Sequence, residues 1–325
     1  MKLVFCGTPQ FAVPTLNALL AAGHQIALVV SQPDRPVGRD RQLTAPPVKL
    51  AALALDLPIA QPETIRNNPE FRSQLEAIAP DAIVVVAYGR IIPPWMLTLP
   101  RLGCINLHAS LLPRYRGAAP IQWAVAMGEI VTGNTTMLLE EGLDTGPILL
   151  QQALAIAPQQ TAVELLDELA RGGAQLIVKT LTGLADGSIQ PRPQNHAGAT
   201  LAPILNREDG HMDFAAHTAT ELKNRWRGFQ PWPGAFTALD GKKLIVHRME
   251  VVDAPGSQES IPAEPASILP GQIRIAEHRL LVACAGSTWL ELIEVQLEGK
   301  KRLAAAEFLR GIALPANARL GALTQ

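Results

Sequence analysis

Residues 104–117 read CINLHASLLPRYRG, an apolar, strand-like run that stops abruptly in polar and turn-forming residues. Asn106 and His108 are two residues apart, so on a strand their side chains point to the same face. A Leu-Leu-Pro turn follows, and Pro113 stiffens it because its ring fixes φ and removes an N–H donor. In an open α/β sheet the carboxyl ends of the strands border the ligand crevice. The segment therefore predicts an amide beside an imidazole at such an edge.

Strand and helix signals alternate through the first half of the chain, which predicts a parallel sheet covered by helices on both faces. Residues 31–44 are polar and rich in Pro, Asp and Arg, so we expect a long loop, which in a compact domain is usually functional. The predicted strands cover residues 3–6, 26–30, 82–87, 104–108, 135–140 and 147–156, and the predicted helices cover 11–22, 48–54, 69–78, 118–127 and 161–185.

Prolines and glycines are frequent in residues 189–206, which predicts a linker between a catalytic domain at 1–188 and a second domain at 207–325. In the second domain, short strands at even spacing predict a small β-barrel similar to an OB-fold. The expected fold is thus a Rossmann-like α/β domain followed by that barrel. The second domain's predicted strands are 236–238, 243–251, 272–276, 280–283 and 289–295, flanked by helices at 215–226 and 303–309.

Composition narrows the functional classes only modestly. The net charge of −1 gives no global attraction to nucleic acid, so a polyanion site must be a local patch. Three widely spaced cysteines in apolar runs predict reduced core residues, and we expect neither a disulfide nor a metal site. Neither a signal peptide nor a run of ~18 apolar residues is evident, so we expect a cytoplasmic, bacterial protein that does not enter the membrane.

A third polar group, Asp144, lies in the turn EEGLDTGP at residues 140–147. Together with Asn106 and His108 around HASLLPRYRG, it resembles the catalytic signature of the folate-dependent formyltransferase family. Within that family the chain most resembles the members that formylate a charged initiator tRNA. The resemblance spans nearly the whole chain and includes FCGTP at 5–9, QPDRPVGR at 32–39, GAAPIQ at 117–122 and FQPWPGA at 229–235.

This resemblance implies transfer of a formyl group from 10-formyltetrahydrofolate to the α-amino group of initiator methionyl-tRNA. The amine attacks directly, through a tetrahedral intermediate. Asn106 can donate to the oxyanion, a contribution of ~2.7–4 kcal/mol for a preorganised donor. His108 can donate there too, or protonate the leaving nitrogen, while Asp144 orients the imidazole or accepts protons through a water. An isolated Asn-x-His more often only ends a strand, but the turn and Asp144 favour catalysis here.

The resemblance also implies a folate cleft. Its contacting segment corresponds to Ser110, Leu111, Leu112 and Pro113, whose residue types alone would indicate only a tight apolar turn. Tyr88 and Gly89, at the end of the neighbouring predicted strand, are expected to line the same cleft. A pterin ring suits an apolar cleft with a few backbone hydrogen bonds.

Two further groups of cationic residues are expected to bind tRNA. The resemblance implies that the 31–44 loop wraps the acceptor end, with Arg39 at its key basic position and Arg41 nearby. In the second domain, cations interleave with tryptophans at Trp226 and Trp232, a composition that suits RNA backbone and exposed bases. A solvated helix face explains these cations, Lys223, Arg225 and Arg227, equally well.

Other functions remain open at this point. A sugar-nucleotide formyltransferase acting on UDP-amino-arabinose shares the catalytic signature but lacks the long arginine-bearing loop. A glycinamide ribonucleotide formyltransferase would end near the linker. A non-catalytic RNA-binding protein is disfavoured because Asn106, His108 and Asp144 are all present. We expect a monomer.

Overall fold

The computed structural model of the protein describes residues 1–37, 42–254, 268–315 and 317–321. The chain forms two compact units. The first contains residues 1–121, 131–157 and 164–204, and the second contains 122–130, 158–163 and the chain from Leu205 onward. Most of the predicted linker lies in the first unit, where Leu201 forms a β-bridge with Arg116. The exact domain boundaries stay a prediction.

A seven-stranded sheet organises the first unit. Its strands are β1 (Lys2–Gly7), β2 (Gln25–Val30), β5 (Ile59–Ala60), β6 (Ala82–Val86), β7 (Cys104–His108), β8 (Val131–Leu138) and β9 (Ile148–Ala155). They lie in the order β5-β2-β1-β6-β7-β8-β9, and the pairs through β7 are parallel. The pairs β7–β8 and β8–β9 are antiparallel. The Rossmann-like prediction is confirmed, with this antiparallel extension at one edge.

The helices up to residue 185 follow the predicted pattern closely. They are α1 (Val13–Ala21), α2 (Pro47–Ala54), α3 (Pro69–Ile78), α4 (Pro94–Leu97), α5 (Pro120–Ala126) and α6 (Ala162–Ala185). Helix α3 begins where the side chain of Asn68 accepts the Phe71 N–H, the usual role of an N-cap asparagine. The sequence did not indicate α4 or β5, because elements of four and two residues are too short to show a period.

The loop expected at residues 31–44 contains a short hairpin, so that part of the prediction is wrong. Strand β3 (Arg35–Val37) pairs antiparallel with β4 (Gln42–Thr44). Each strand has only three residues, and those side chains that the structure describes are exposed, so neither strand leaves the alternating pattern of a half-buried strand. The hairpin's predicted tRNA contacts, Arg39 and Arg41, lie outside the described residues.

The second unit is a small antiparallel β domain, as predicted. Its elements are α7 (Ala219–Gly228), β10 (Phe236–Leu239), β11 (Lys242–Val252), β12 (Ile273–Ala276), β13 (Arg279–Cys284), β14 (Thr288–Leu297), β15 (Leu303–Ala304) and α8 (Ala305–Arg310). The strand order is β10-β11-β14-β13-β12, with β15 on β14. Residues 319–321 pair with both edges of this sheet. Gly321 forms a β-bridge with Ala238 of β10, and Arg319 forms one with Gln272, which directly precedes β12. The sheet therefore curls toward a barrel.

All three cysteines, Cys6, Cys104 and Cys284, are buried, which confirms the prediction that they are core residues. Burial raises the pKa of Cys104 and of Cys284 to about 12, so both are neutral thiols at pH 7. Among the described helices, none combines the length and apolar character that a bilayer crossing requires.

Candidate active site

Asn106 and His108 project from one face of β7 at its carboxyl end. Their partners across the antiparallel ladder are Met137 and Thr135 of β8, which therefore share that face. Only 9% of Asn106 and 6% of His108 is exposed. The sheet thus brings the predicted amide and imidazole together in a largely dry environment.

The two ring nitrogens of His108 have different surroundings. Nε2 lies 2.8 Å from the carbonyl oxygen of Tyr115. Because a carbonyl oxygen can only accept, Nε2 must carry a proton. Nδ1 lies 3.7 Å from Oδ2 of Asp144. Nδ1 is therefore the nitrogen left to exchange a proton, and a carboxylate faces it.

Asp144 occupies an unusual backbone conformation. Its φ is +50°, in the left-handed region that non-glycine residues rarely adopt. Its Oδ2 accepts the Gly117 backbone N–H at 2.8 Å, and its carbonyl oxygen accepts a bond from Nε2 of Gln194 at 2.8 Å. Close packing also fixes the turn, since a Cβ added at Gly146 would lie 1.9 Å from the carbonyl oxygen of Leu138. These contacts aim the carboxylate at His108.

The side-chain amide of Asn106 makes no hydrogen bond within the part of the chain that the structure describes. A buried amide normally has partners, because an unpaired polar group loses its hydrogen bonds to water. The residue nevertheless keeps a small exposed surface, and its side chain projects from the same strand face as His108. An open donor of this kind can serve an oxygen atom brought in by a substrate.

The predicted folate segment is held in shape by the hydroxyl of Thr135. Its Oγ1 donates to the carbonyl oxygen of Ser110 at 2.6 Å and accepts the Leu112 N–H at 3.1 Å. Gln151 reinforces the turn by donating to the carbonyl oxygen of Leu112 at 2.9 Å. The hydroxyl of Ser110 donates to the carbonyl oxygen of Arg114 at 2.6 Å. The side chain of Ser110 is thus engaged within the turn. Leu111 and Pro113 are partly exposed, and Leu112 is buried.

Tyr88 differs from the expectation of a cleft-lining side chain. The ring is buried in the core beside Val4, Cys6 and other apolar residues, and burial raises the pKa of its hydroxyl. Its carbonyl oxygen accepts bonds from Thr8 at 2.9 Å and Gln32 at 3.2 Å, and the carbonyl of Gly89 accepts from Gln32 at 3.1 Å. A folate contact of these two residues stays a prediction, and for Tyr88 it would involve the backbone.

The cations expected on α7 do not form an exposed row. Lys223 is only 6% exposed and forms an ion pair with Glu250. Arg227 is 4% exposed and donates to the carbonyl oxygen of Gln160 at 2.9 Å. The expectation of a solvated face is wrong for these two residues, because packing within the second unit engages their charges. Their binding to tRNA stays untested.

Arg225 is partly buried and also has partners inside the second unit. It donates to the carbonyl oxygen of Asp209 at 3.0 Å, and its guanidinium lies 5.0 Å from the centre of the Phe229 ring. Burial lowers the pKa of this guanidinium, with a smaller opposing effect from Asp209. A contact of Arg225 with tRNA likewise stays a prediction.

Sequence reasoning missed three residues that shape the site, namely Arg116, Thr135 and Gln194. Arg116 stands inside the quoted motif, but nothing in the sequence shows that it is buried. Gln194 lies in the predicted linker and reaches the Asp144 turn across about 50 residues of chain. A side chain that bonds backbone carbonyls leaves no spacing pattern, so no sequence signal could have found it.

Comparison with known proteins identifies the family. Residues 1–181 match the family described as formyl transferase, and residues 204–313 match the formyl transferase C-terminal domain. The methionyl-tRNA formyltransferase of Acidobacterium capsulatum is 62% identical over 322 residues, covering 99% of this chain and 100% of that protein. The Koribacter versatilis methionyl-tRNA formyltransferase is 56% identical over 324 residues, covering 100% of both chains.

Solved structures share the architecture at lower identity. The sugar 3N-formyl transferase WlaRD aligns with a TM-score of 0.61 and 18% identity, covering 93% of this chain and 99% of that one. An N-formyltransferase from Helicobacter canadensis aligns with a TM-score of 0.63 and 18% identity, covering 90% and 98%. These likenesses show the fold alone. The identity to the curated relatives is far higher and extends over both units, and on that ground the chain belongs to the methionyl-tRNA formyltransferase family.

Proposed function

We propose that this protein transfers the formyl group of 10-formyltetrahydrofolate to the free α-amino group of initiator methionyl-tRNA, for use in translation initiation. One observation carries the proposal: the open amide of Asn106 lies on the same strand face as His108, whose Nδ1 is 3.7 Å from Asp144. The full-length similarity to methionyl-tRNA formyltransferases supports this choice of substrate.

The residues around this face suit a folate donor. The turn at 110–113 combines apolar side chains with backbone groups fixed by Thr135 and Gln151. Such a surface suits a flat heteroaromatic ring that needs shape and a few hydrogen bonds. The unpartnered amide of Asn106 adds a donor for the formyl oxygen. No step of the proposed reaction requires a metal ion.

The reaction forms one carbon–nitrogen bond and breaks another. The neutral amine of the methionyl group attacks the formyl carbon, and the carbonyl oxygen becomes an oxyanion beside the Asn106 amide. A donor already in place there stabilises the charge without reorganisation. The carbon–nitrogen bond to the folate then breaks, leaving the formyl group on the amine. The net proton transfer runs from the attacking nitrogen to the folate nitrogen.

His108 is suited to carry that proton. Its Nε2–H is committed to the Tyr115 carbonyl, so Nδ1 can take a proton from the attacking amine and return it to the leaving nitrogen. The Asp144 carboxylate stabilises the imidazolium that forms in between. No covalent enzyme intermediate is needed, because an α-amino group with an ordinary pKa of about 7.7–8.0 is partly unprotonated near pH 7.

The proposed function also implies a tRNA partner and a cellular location for the protein. Arg39 and Arg41, in the predicted tRNA-binding loop at residues 31–44, contact the acceptor end of the tRNA, with Arg225 as a further candidate in the second unit. The protein works as a monomer in the cytoplasm, where charged tRNA and reduced folates occur. Light scattering of the purified protein tests the monomer, and a mass twice that of the chain would contradict it.

A substrate comparison tests the function. Purified protein is given 10-formyltetrahydrofolate with either charged initiator tRNA or UDP-amino-arabinose, and the formylated product is measured. We expect formylation of the methionyl-tRNA only. Formylation of the sugar nucleotide instead would favour the sugar-nucleotide alternative, and activity on neither would favour a non-catalytic RNA-binding protein.

The Asn106→Ala variant tests the mechanism in the same assay. Loss of the oxyanion donor should lower kcat roughly 10²-fold or more, with the fold retained. Asn67→Ala, an exposed position in the same unit, is the matched control. A normal kcat in Asn106→Ala would remove this amide from the mechanism.

A further inference from the structure

We propose that Gln194 is a positioning residue for the reaction, because its side-chain amide holds the Asp144 turn in the conformation that presents the carboxylate to His108. The inference rests on the proposed function. It assigns an active-site role to a segment that the sequence predicts as a linker.

The side-chain amide of Gln194 uses all of its hydrogen-bonding capacity, half of it on the Asp144 turn and half on Arg116. Its Nε2 donates to the carbonyl oxygens of Asp144 and Gly146, both at 2.8 Å. Its Oε1 accepts from Nε of Arg116 at 3.2 Å and from Nη2 at 2.6 Å. An amide offers two N–H donors and two acceptor lone pairs, so none is left over. Gln194 is buried, which makes these four bonds hard to exchange for water.

The Asp144 turn requires such support. A non-glycine residue at a φ of +50° is held there by its surroundings, because the same residue relaxes to a negative φ when free. The carboxylate touches His108 from the end of this strained backbone. Two carbonyl oxygens on either side of Thr145 are fixed by a single side chain. Removing their shared donor therefore loosens the backbone that carries the carboxylate.

The other end of the amide holds the loop that contacts His108 from its second side. Arg116 is buried and forms no ion pair with a carboxylate among the described residues; its guanidinium contacts Gln194 and Nδ1 of His196. Its two chain neighbours are part of the site. Tyr115 presents its carbonyl oxygen to Nε2 of His108, and Gly117 donates its N–H to Asp144. Gln194 thus joins the two loops that fix the imidazole and its carboxylate.

A simpler role for Gln194 is to satisfy the buried Arg116 without any effect on catalysis. The Gln194→Glu variant separates the two roles. A glutamate keeps the shape and pairs with Arg116 through a charge-assisted contact that suits a guanidinium. It has no N–H to offer, and its second oxygen faces the carbonyl oxygens of Asp144 and Gly146. The variant therefore keeps the Arg116 contact and repels the Asp144 turn.

The experiment compares wild type with Gln194→Glu, Gln194→Met and the control Gln190→Glu, which makes the same change at an exposed position of the same segment. Steady-state formyl transfer gives kcat and the KM for folate, thermal unfolding gives Tm, and all rates are measured below the lowest Tm. We expect kcat of Gln194→Glu to fall about 10²-fold, because a small misplacement of a catalytic group slows a reaction by about that factor. Its KM for folate should not change. Gln194→Met, which lacks both sets of bonds, should lose Tm as well as kcat.

Two results would overturn the inference. One is a normal kcat in folded Gln194→Glu, whatever its Tm, since the Asp144 turn would then need no donor. The other is a normal kcat in Gln194→Met. Absence of formyl transfer by the wild-type protein would instead refute the proposed function, so the two failures are distinguishable.

Discussion

At the scale of single residues, the charge of Asp144 can be separated from its shape. In Asp144→Asn the amide oxygen can still accept the Gly117 N–H, and asparagine tolerates a left-handed φ better than most residues. We expect the fold and the folate affinity to persist while kcat falls roughly 10²-fold or more, because the imidazolium loses its counter-charge. Folate titration and single-turnover formyl transfer measure the two quantities. A large loss of folate affinity with kcat preserved would assign Asp144 to binding.

For single residues, the sequence reveals the chemical type of a side chain and its spacing along a strand or helix. The two-residue spacing of Asn106 and His108 correctly placed both on one strand face, because alternation along a strand is a property of the backbone itself. The same reasoning could not find the Tyr115 carbonyl that fixes Nε2, since every residue has a carbonyl. Gln194 was missed for the related reason that its partners are backbone atoms.

At the scale of elements, strand β8 supports the turn at 110–113 through the face that carries Thr135. Thr135→Val keeps the volume but leaves the Leu112 N–H and the Ser110 carbonyl without their partner. We expect a loss of about 1–3 kcal/mol in the free energy of unfolding, and a severalfold higher KM for folate as the turn loosens. Thr136→Val is the matched control, because this buried threonine faces Thr180 on the opposite side of the sheet. An unchanged KM in Thr135→Val would show that the turn does not depend on this hydroxyl.

The base of the β3–β4 hairpin provides a test of pH dependence. Hydrogen bonds from Lys49, then from Gln61, lower the pKa of Asp34 below its ordinary value of 3.8. A carboxyl with a lowered folded-state pKa stabilises the fold above the unfolded value and loses this contribution as the pH falls through the folded value. The Tm of wild type should therefore exceed that of Asp34→Asn at pH 7, and the difference should shrink below pH 3.8. Asp56→Asn, at an exposed position, is the control. A difference that is constant down to pH 3 would contradict the assignment.

The sequence predicted helices and strands correctly where burial leaves a recognisable pattern of apolar residues. Strands β6 and β7 are buried throughout. Strand β6 appears in the sequence as an unbroken apolar run, and β7 as an apolar strand interrupted by Asn106 and His108. Helix α6 is long and amphipathic, so its bounds were found within one residue. The β3–β4 hairpin was not predicted because its strands are only three residues long and their described side chains are exposed. The antiparallel direction of β8 and β9 could not be read from their composition.

At the scale of the whole molecule, charge offers little general attraction to tRNA, since the net charge is −1. Two of the three cations predicted on α7 are largely buried, so the second unit presents fewer of them than the sequence suggested. Recognition of a polyanion must then depend on local contacts, each of which contributes separately to the salt dependence. This makes Arg39, at the key basic position of the predicted tRNA-binding loop, the most informative residue to change.

Arg39→Ala should weaken the productive use of charged tRNA while leaving folate binding intact. An arginine near the acceptor end can bind a phosphate bidentately and so position the reacting amine. Its loss should lower kcat/KM for methionyl-tRNA, affecting kcat as well as KM, because misplacing the amine slows the chemical step. The slope of log affinity against log salt should also fall by about one unit per lost phosphate contact. Arg66→Ala removes an exposed arginine of the same unit and should change none of these values. Normal kinetics with an unaltered salt slope in Arg39→Ala would mean that the predicted tRNA-binding loop is only a surface feature, and the basis of tRNA selection would have to be sought elsewhere on the molecule.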